Sequence, residues 1–365
     1  MRAGKRSRAV RMLGVATLVI MSGIGMSTSG AQTHDDHGGH DHPTTTTTAP
    51  GGTTTTTKAP TPTTTTPPPA GTQRKVIDYG PYGIPGAPPT TNPGEERHGH
   101  AHTGNMFQLF AEKPCTNCYI TGMKADLVNL DGTQAGWSTD SQLHHMVLFN
   151  MSWGRQDATC AGSFLGFLGE RFFASGDERT PLPTQPGYGY YVSWFDNWTM
   201  IYELANHNTT PQNVKIRMTY DWVPATTPGM KKLDPVWFDI DQCGFSQYSR
   251  PAGKSTRNWT WTVNRPGKVI GVGGHLHDGG VNITIKNLNT GKLLCDSRAG
   301  YGESPLYIGH HGDAHISSMS TCTMKNGVPV DTISNGQRID MVANYDSPVA
   351  DPYAMGIAIM YVSAT

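Results

Sequence analysis

Charge is scarce in this chain. Only 15% of its 365 residues are Asp, Glu, Lys or Arg, and 28 basic residues are balanced by 28 acidic ones. A surface that neutralises a row of phosphates needs a basic excess, so a nucleic-acid partner is not expected. Long apolar runs are missing too. Beyond Met12–Met26 no stretch approaches the ~20 apolar residues that span a bilayer, so no membrane-spanning helix is expected. Acids are absent before Asp35, while Arg2, Lys5, Arg6, Arg8 and Arg11 precede the Met12–Met26 run and Ser29-Gly30-Ala31 follows it. These features read as a secretory signal over residues 1–31, cleaved near Ala31. The mature chain would then carry 23 basic and 28 acidic residues, a formal charge of −5. It is expected to be secreted, where disulfides form.

Residues 32–104 offer little to bury. HDDHGGHDH supplies His34, His37, His40 and His42, and the Thr, Pro, Ala and Gly run from Pro43 to Gly71 holds a single charge, Lys58. A second histidine cluster, His98, His100 and His102, closes the segment. Such a composition cannot offset its ordering entropy and reads as a disordered spacer. Its histidines suit metal scavenging on a tether, or nothing beyond a polar tail.

The remainder, roughly 260 residues, suits two domains. Its pattern is β. Val214, Ile216, Met218, Tyr220 and Trp222 alternate with polar residues, as do Val281, Ile283 and Ile285, and Trp259, Trp261 and Val263. Period-2 alternation broken by Gly, Pro and Asn predicts an all-β chain of two antiparallel, jelly-roll-like sandwiches. The break at Pro224–Lys232 divides them into residues 105–230 and 231–365, and Gly162–Gly176 reads as a helical or irregular insert.

Six cysteines fit an exported β protein. Cys295 and Cys322 flank one loop region and make a plausible pair. Cys115 and Cys118 have the spacing of a redox motif or metal half-site, but without a βαβ context a structural disulfide is favoured. Cys160 and Cys243 are left to bridge the domains or to pair otherwise.

Eight histidines fall in the folded part: His144, His145, His207, His275, His277, His310, His311 and His315. In VGGHLHDGG, His275 and His277 sit two apart after an apolar strand and share a face, so both can grip one metal ion; a hydrogen-bonded pair is the plainer reading. His144 and His145 are adjacent and can share a metal only at a bend, a bulge or a strand start. His207 ends a strand and shares a face with Ala205 and Glu203. Asp278 can orient a neighbouring imidazole, and His310, His311 and His315 read as a solvated loop or a further ligand source. The Asn-x-Ser/Thr sequons, as at Asn150 and Asn282, read as turn and strand chemistry.

In combination and order, HHMVLFN, a strand closing on a histidine, HLHDGG and PYAMGIAIMYV resemble the ascorbate-dependent type II copper monooxygenases, peptidylglycine α-hydroxylating and dopamine β-monooxygenase. Still closer, KPCTNCYITGMKADLV, HHMVLFN, RFFASGDERT, GGHLHDGGVNITI and ISSMSTC resemble the stress-up-regulated nodulin family of plants and bacteria. The resemblance implies two copper ions per chain, one on His144, His145 and His207 in the first sandwich, the other on His275, His277 and Met355 in the second. Two imidazoles and a thioether favour Cu(I). Only the family order sets Met355 above Met341 and Met360, since a methionine on a final strand is more often packing.

The implied activity is hydroxylation of a small molecule's C–H bond by O2, with ascorbate or a similar reductant as co-substrate, in a monomer. One departure matters: the arginine that helps hold the substrate carboxylate in the peptide-amidating enzymes is here Gly273, so peptide amidation is not supported. The alternatives are a non-catalytic copper-binding stress protein and a cupin-like iron or manganese enzyme, whose expected glutamate and later histidine are absent after HLHDGG.

Overall fold

The computed structural model describes residues 71–88, 101–160, 169–244 and 246–365. The expected signal segment and the first half of the expected spacer lie outside these residues. Among the described residues there are twenty strands and no α-helix. The first nine are β1 (Gln73–Ile84), β2 (Ala101–His102), β3 (Met106–Gln108), β4 (Cys118–Asn129), β5 (Ser141–Asn150), β6 (Glu170–Gly176), β7 (Tyr188–Val192), β8 (Trp198–Asn206) and β9 (Gln212–Pro224). The rest are β10 (Lys231–Asp239), β11 (Gln247–Arg250), β12 (Gly253–Thr262), β13 (Gly267–Leu276), β14 (Gly280–Asn287), β15 (Leu293–Tyr301), β16 (Ile316–Met319), β17 (Cys322–Thr323), β18 (Asp331–Ile333), β19 (Arg338–Ser347) and β20 (Asp351–Ser363). The all-β expectation holds.

Three sheets result. The longest runs β1-β9-β4-β7-β10-β20-β13-β17, with β11 on β20 and β18 on β13. A second has the order β12-β19-β14-β15-β16, and a third β2-β8-β5-β6 with β3 on β8. The alternation read from the sequence places Val214, Ile216, Met218 and Tyr220 of β9 in one apolar core, and Ile283 and Ile285 in another.

The strand β20 explains why PYAMGIAIMYV shows no polar alternation. Met355, Ile357, Ile359 and Tyr361 pack into the first core, while Ala354, Ala358, Met360 and Val362 pack into the second. A strand covered on both faces has no solvent side on which to place a polar residue. Its neighbour β10 divides likewise, Trp237 to the first core and Val236 and Phe238 to the second.

Three expectations need correction. The spacer does not extend unbroken to Gly104: Gln73–Ile84 is a strand that pairs with β9 from Gln73↔Trp222 to Ile84↔Gln212, and Ala101–His102 pairs with β8. Ile77, Tyr79 and Ile84 bury themselves in the first core, a period-2 signal diluted by Gly and Pro. The insert Gly162–Gly176 is not helical where it is described, because Glu170–Gly176 forms β6 against β5. Finally, Pro224–Lys231 does separate β9 from β10, but β10 pairs in parallel with β7 and antiparallel with β20, so one sheet runs through both halves.

The cysteines pair as Cys115–Cys118, Cys160–Cys243 and Cys295–Cys322. The second ties the loop after β5 to the segment after β10, which joins the two halves. With its partners 27 positions apart in sequence, Cys295–Cys322 contributes roughly 3–4 kcal/mol in the chain-entropy picture.

Candidate metal centre

On the small sheet, His145 of β5 pairs with Gly176 of β6 on one side and Glu203 of β8 on the other. Cross-strand partners share a face, so these three residues form a single row. The β5–β8 register shifts between Leu143 and His145, placing His144 at an irregularity. That is the condition under which adjacent histidines turn toward one place: His144 Nδ1 lies 3.1 Å from His145 Nδ1. Asn105 Oδ1 meets His145 Nε2 at 3.0 Å.

The imidazoles of HLH arrive from the long sheet. A register shift between Val269 and Gly271 precedes them, and His275 then pairs with Ile357, a residue of the first core. Leu276 points to the second core. His275 and His277 therefore face the first half of the chain, although they belong to the second. The backbone at Gly176 makes room for them, since a Cβ there would lie 2.5 Å from His275 Cε1. The His144 and His277 ring centroids are 4.6 Å apart, and those of His275 and His277 5.4 Å. The two histidine pairs thus meet in one cluster.

Met355 is buried on β20. Continuing the pairing Leu276↔Gly356 by one step sets it opposite His277, and Tyr345 Oη spans the two, accepting from His277 N–H and donating to the Met355 carbonyl. Met360 pairs with Val272 and packs into the second core, as Met341 does, so neither shares this face. His207 is placed differently: its ring packs on Trp137 at 4.2 Å and its Nε2 meets Gln142 Oε1 at 3.3 Å. Trp137 also stacks on His315, which bonds Asp278 at 2.6 Å, and donates from its indole N–H to Asp177. The imidazole that Asp278 holds is thus that of His315. His310 bonds Asp140 at 2.5 Å and stays largely exposed.

Three contributors escaped the motif reading. Glu203 Oε1 lies 3.0 Å from His102 Nδ1, and its Oε2 lies 3.5 Å from His144 Nδ1 and 3.7 Å from His145 Nε2. Glu178, from RFFASGDERT, accepts from His275 Nδ1 at 3.0 Å, which fixes the tautomer that leaves Nε2 as the lone-pair nitrogen. A charged residue inside the apolar run WTMIYELAN was the available signal for Glu203; His102 had none, standing in a tail of many histidines.

Electrostatics keep two of the imidazoles, His145 and His277, ready to bind a cation. Burial, reinforced by His144, pushes His145 down to about 3, and burial with His144 and His275 holds His277 well below 6.5. Burial alone would raise Glu203, but its bonds from His102 and His144 outweigh that and hold the carboxyl well below its usual range. Burial alone would lower His275, yet Glu178 outweighs it and raises the ring; Asp278 does the same for His315. Asp177 is pushed up to about 7 by burial.

These directions fix a pH dependence for the metal-free chain. Below about 6.5 the unfolded chain protonates His145 and His277 while the folded chain resists, so stability falls as pH drops, for His145 down to about 3. The His275 and His315 contributions run the other way but are complete below about 6.5 and fade only as pH rises through their raised values. Between pH 6.5 and pH 5 the two histidines are opposed by Asp177, raised to about 7, and Asp239, raised to about 6, whose buried carboxyls take up protons first in the folded chain. The His145 contribution is therefore read by difference: across that interval thermal midpoints in chelator should fall less, or rise more, in His145→Gln than in the wild type; equal slopes in the two proteins would refute this account.

The donor set fits a soft or borderline metal. His275 Nε2 and His277 Nε2 are buried without a hydrogen-bond partner, a costly arrangement unless something else meets those lone pairs. Among the described residues, the group of His, Cys, Asp or Glu donors all within 4.8 Å of one another is His102, His144 and Glu203.

All-β halves joined by one sheet, with histidines from both meeting in one cluster, define the class: an all-β protein of antiparallel sheets with a histidine-rich candidate metal site. Residues 207–365 match the family described as Stress up-regulated Nod 19, in agreement with the resemblance read from the motifs. The chain is 28% identical over 312 residues to a Phoma sp. protein named "Probable copper-dependent oxygenase M1", covering 80% of this chain and 72% of that one. It is 27% identical over 260 residues to "Probable copper-dependent oxygenase clz3" of Cochliobolus lunatus, covering 66% of this chain and 78% of the relative. Among solved structures, PBCV-1 VP54 shares 8% identity and a TM-score of 0.27 over 80% of this chain and 93% of that one, a likeness on which no argument rests.

Proposed function

We propose that this protein is a secreted copper-dependent oxygenase that hydroxylates a C–H bond of a small molecule with O2 and an external reductant such as ascorbate. The observation that carries the reading is the convergence of His144, His145, His275 and His277 from two sheets on one buried cluster, with two ring nitrogens lacking any hydrogen-bond partner. The two relatives named as copper-dependent oxygenases support the choice of metal, and three disulfides support an oxidising compartment.

His275, His277 and Met355 would hold one copper ion, and His144 and His145 would contribute to a second. Copper, when bound, would supply the one-electron chemistry that O2 requires. The protein's own part is positioning. Glu178 holds His275 in one tautomer, Tyr345 ties the backbone of His277 to that of Met355, and Gly176 lets the His275 ring approach the small sheet. Gly273 itself offers no cation to a substrate carboxylate, and a Cβ there would first meet Pro183, Thr180 and Thr321. The test is O2 consumption by the copper-loaded chain with ascorbate across a panel of small C–H substrates. Uptake that rises with one class of substrate is the expected result; a copper-holding chain without substrate-coupled uptake would make it a binding protein instead.

A further inference from the structure

We infer that the centre at His144 is completed by His102 and Glu203, not by His207, so that it is a mixed imidazole and carboxylate site whose third element comes from the N-terminal segment. The inference deepens the copper reading and rests on it. Glu203 is buried, and each of its ion-pair partners is a histidine. A carboxylate withdrawn from water among imidazoles is the arrangement that a divalent cation compensates best.

The segment carrying His102 is held in place. Ala101 pairs with Asn206 and His102 with Ala205, while Thr103 donates its N–H to the Leu204 carbonyl at 3.0 Å and its Oγ1 accepts from Leu204 N–H at 3.1 Å. This short edge strand sets the His102 ring 4.9 Å from the His144 ring, edge-on. With Glu203 between them, the donors of all three residues lie within 4.8 Å of one another. His207 has its ring on Trp137.

The donor chemistry divides the cluster into unlike halves. Two imidazoles and a carboxylate are harder than two imidazoles and a thioether, so the His102–His144–Glu203 side retains Cu(II), whereas the His275–His277–Met355 side retains Cu(I). Glu203 offers its carboxylate directly to the first site, whereas the carboxylate beside the second, Glu178, bonds a ring nitrogen of His275 instead, which biases the two ions toward different oxidation states before any substrate binds.

The experiment compares the whole mature chain with Glu203→Gln, His102→Gln and His207→Ala, each loaded with Cu(II), washed with a competing chelator, and read by bound copper and by the Cu(II) paramagnetic spectrum. All four share the same histidine-rich tail, so differences report the folded site, and thermal melts confirm that each variant is folded. Glu203→Gln and His102→Gln should each lose one Cu(II), or hold it at least roughly tenfold more weakly. His207→Ala should keep the wild-type count and spectrum. Retention by Glu203→Gln and His102→Gln with loss in His207→Ala would overturn the assignment. Wild-type chain that holds zinc or iron in preference to copper, with that metal lost in Glu203→Gln and His102→Gln, would sink the copper reading while leaving the site in place. If Glu203→Gln unfolds, Glu203→Asp keeps a carboxylate and should retain the ion; loss of the ion from a folded Glu203→Asp and from no other variant would also overturn it.

Discussion

His277→Ala in the copper-loaded chain is expected to abolish substrate-coupled O2 uptake, a fall of at least roughly a hundredfold, while the protein stays folded. His277 is the ring of the HLH pair that meets His144, at 4.6 Å between centroids. Its Nε2 has no hydrogen bond to lose, so truncation orphans no partner of that atom and the structural cost should be modest. What disappears is a donor from both the HLH pair and the contact between the two donor sets. Met355→Ile complements it, since the replacement is apolar and of similar bulk. The fold and Cu(II) content should survive, while affinity for Cu(I) drops with the thioether. Uptake unchanged in His277→Ala, measured with an oxygen electrode on protein of confirmed copper content, would remove the cluster from catalysis. Unchanged Cu(I) affinity in Met355→Ile would leave that site without its sulfur, because Met360 and Met341 face the other core.

The largest effect on stability is expected at Asp157. Its carboxylate accepts from Arg171 Nε at 2.6 Å and from Arg171 N–H at 2.8 Å, and both side chains are almost wholly buried. The Arg171 guanidinium lies 4.5 Å above the Trp237 ring, on the strand shared by the two halves, and reaches Cys160 Sγ at 3.1 Å. Asp157→Ala would leave a buried cation without its main partner, which costs about 3–5 kcal/mol. Asp239, 3.9 Å away, compensates weakly. The thermal midpoint should fall on the order of 10 °C. A shift within error in calorimetry would mean that the pair contributes nothing across this seam.

The sequence made the fold class and the two histidine pairs legible for a simple reason: both are local. Period-2 alternation along β9 and β14 needs no partner strand to be seen, and HLH reads as a shared face wherever its strand goes. The parity of β20 was also there to be read, since Met355 and Met360 differ by an odd number of residues and must oppose one another on a regular strand. What stayed hidden depended on pairing. His207 shares a sequence face with Glu203, yet the row that reaches His145 passes through Glu203. His102 stands on a strand two residues long, too short for periodicity, in a stretch whose composition says tail. The sheet running through both halves could not be foreseen from a break as clear as Pro224–Lys232, because β10 finds its partners in β7 and β20, far away along the chain.

The strand with a core on each side has a mechanical consequence. Two domains joined by a linker can hinge, and a metal centre between them can then open and shut. Here β10, β20 and β13 lie side by side, hydrogen-bonded, with Trp237, Ile359 and Tyr361 under one half and Phe238, Met360 and Val362 under the other. To rotate one half away from the other would tear a ladder and bare both its faces to water. The spacing of the histidines is therefore held by the backbone, and any small molecule that reaches them must do so through the movement of loops and single side chains.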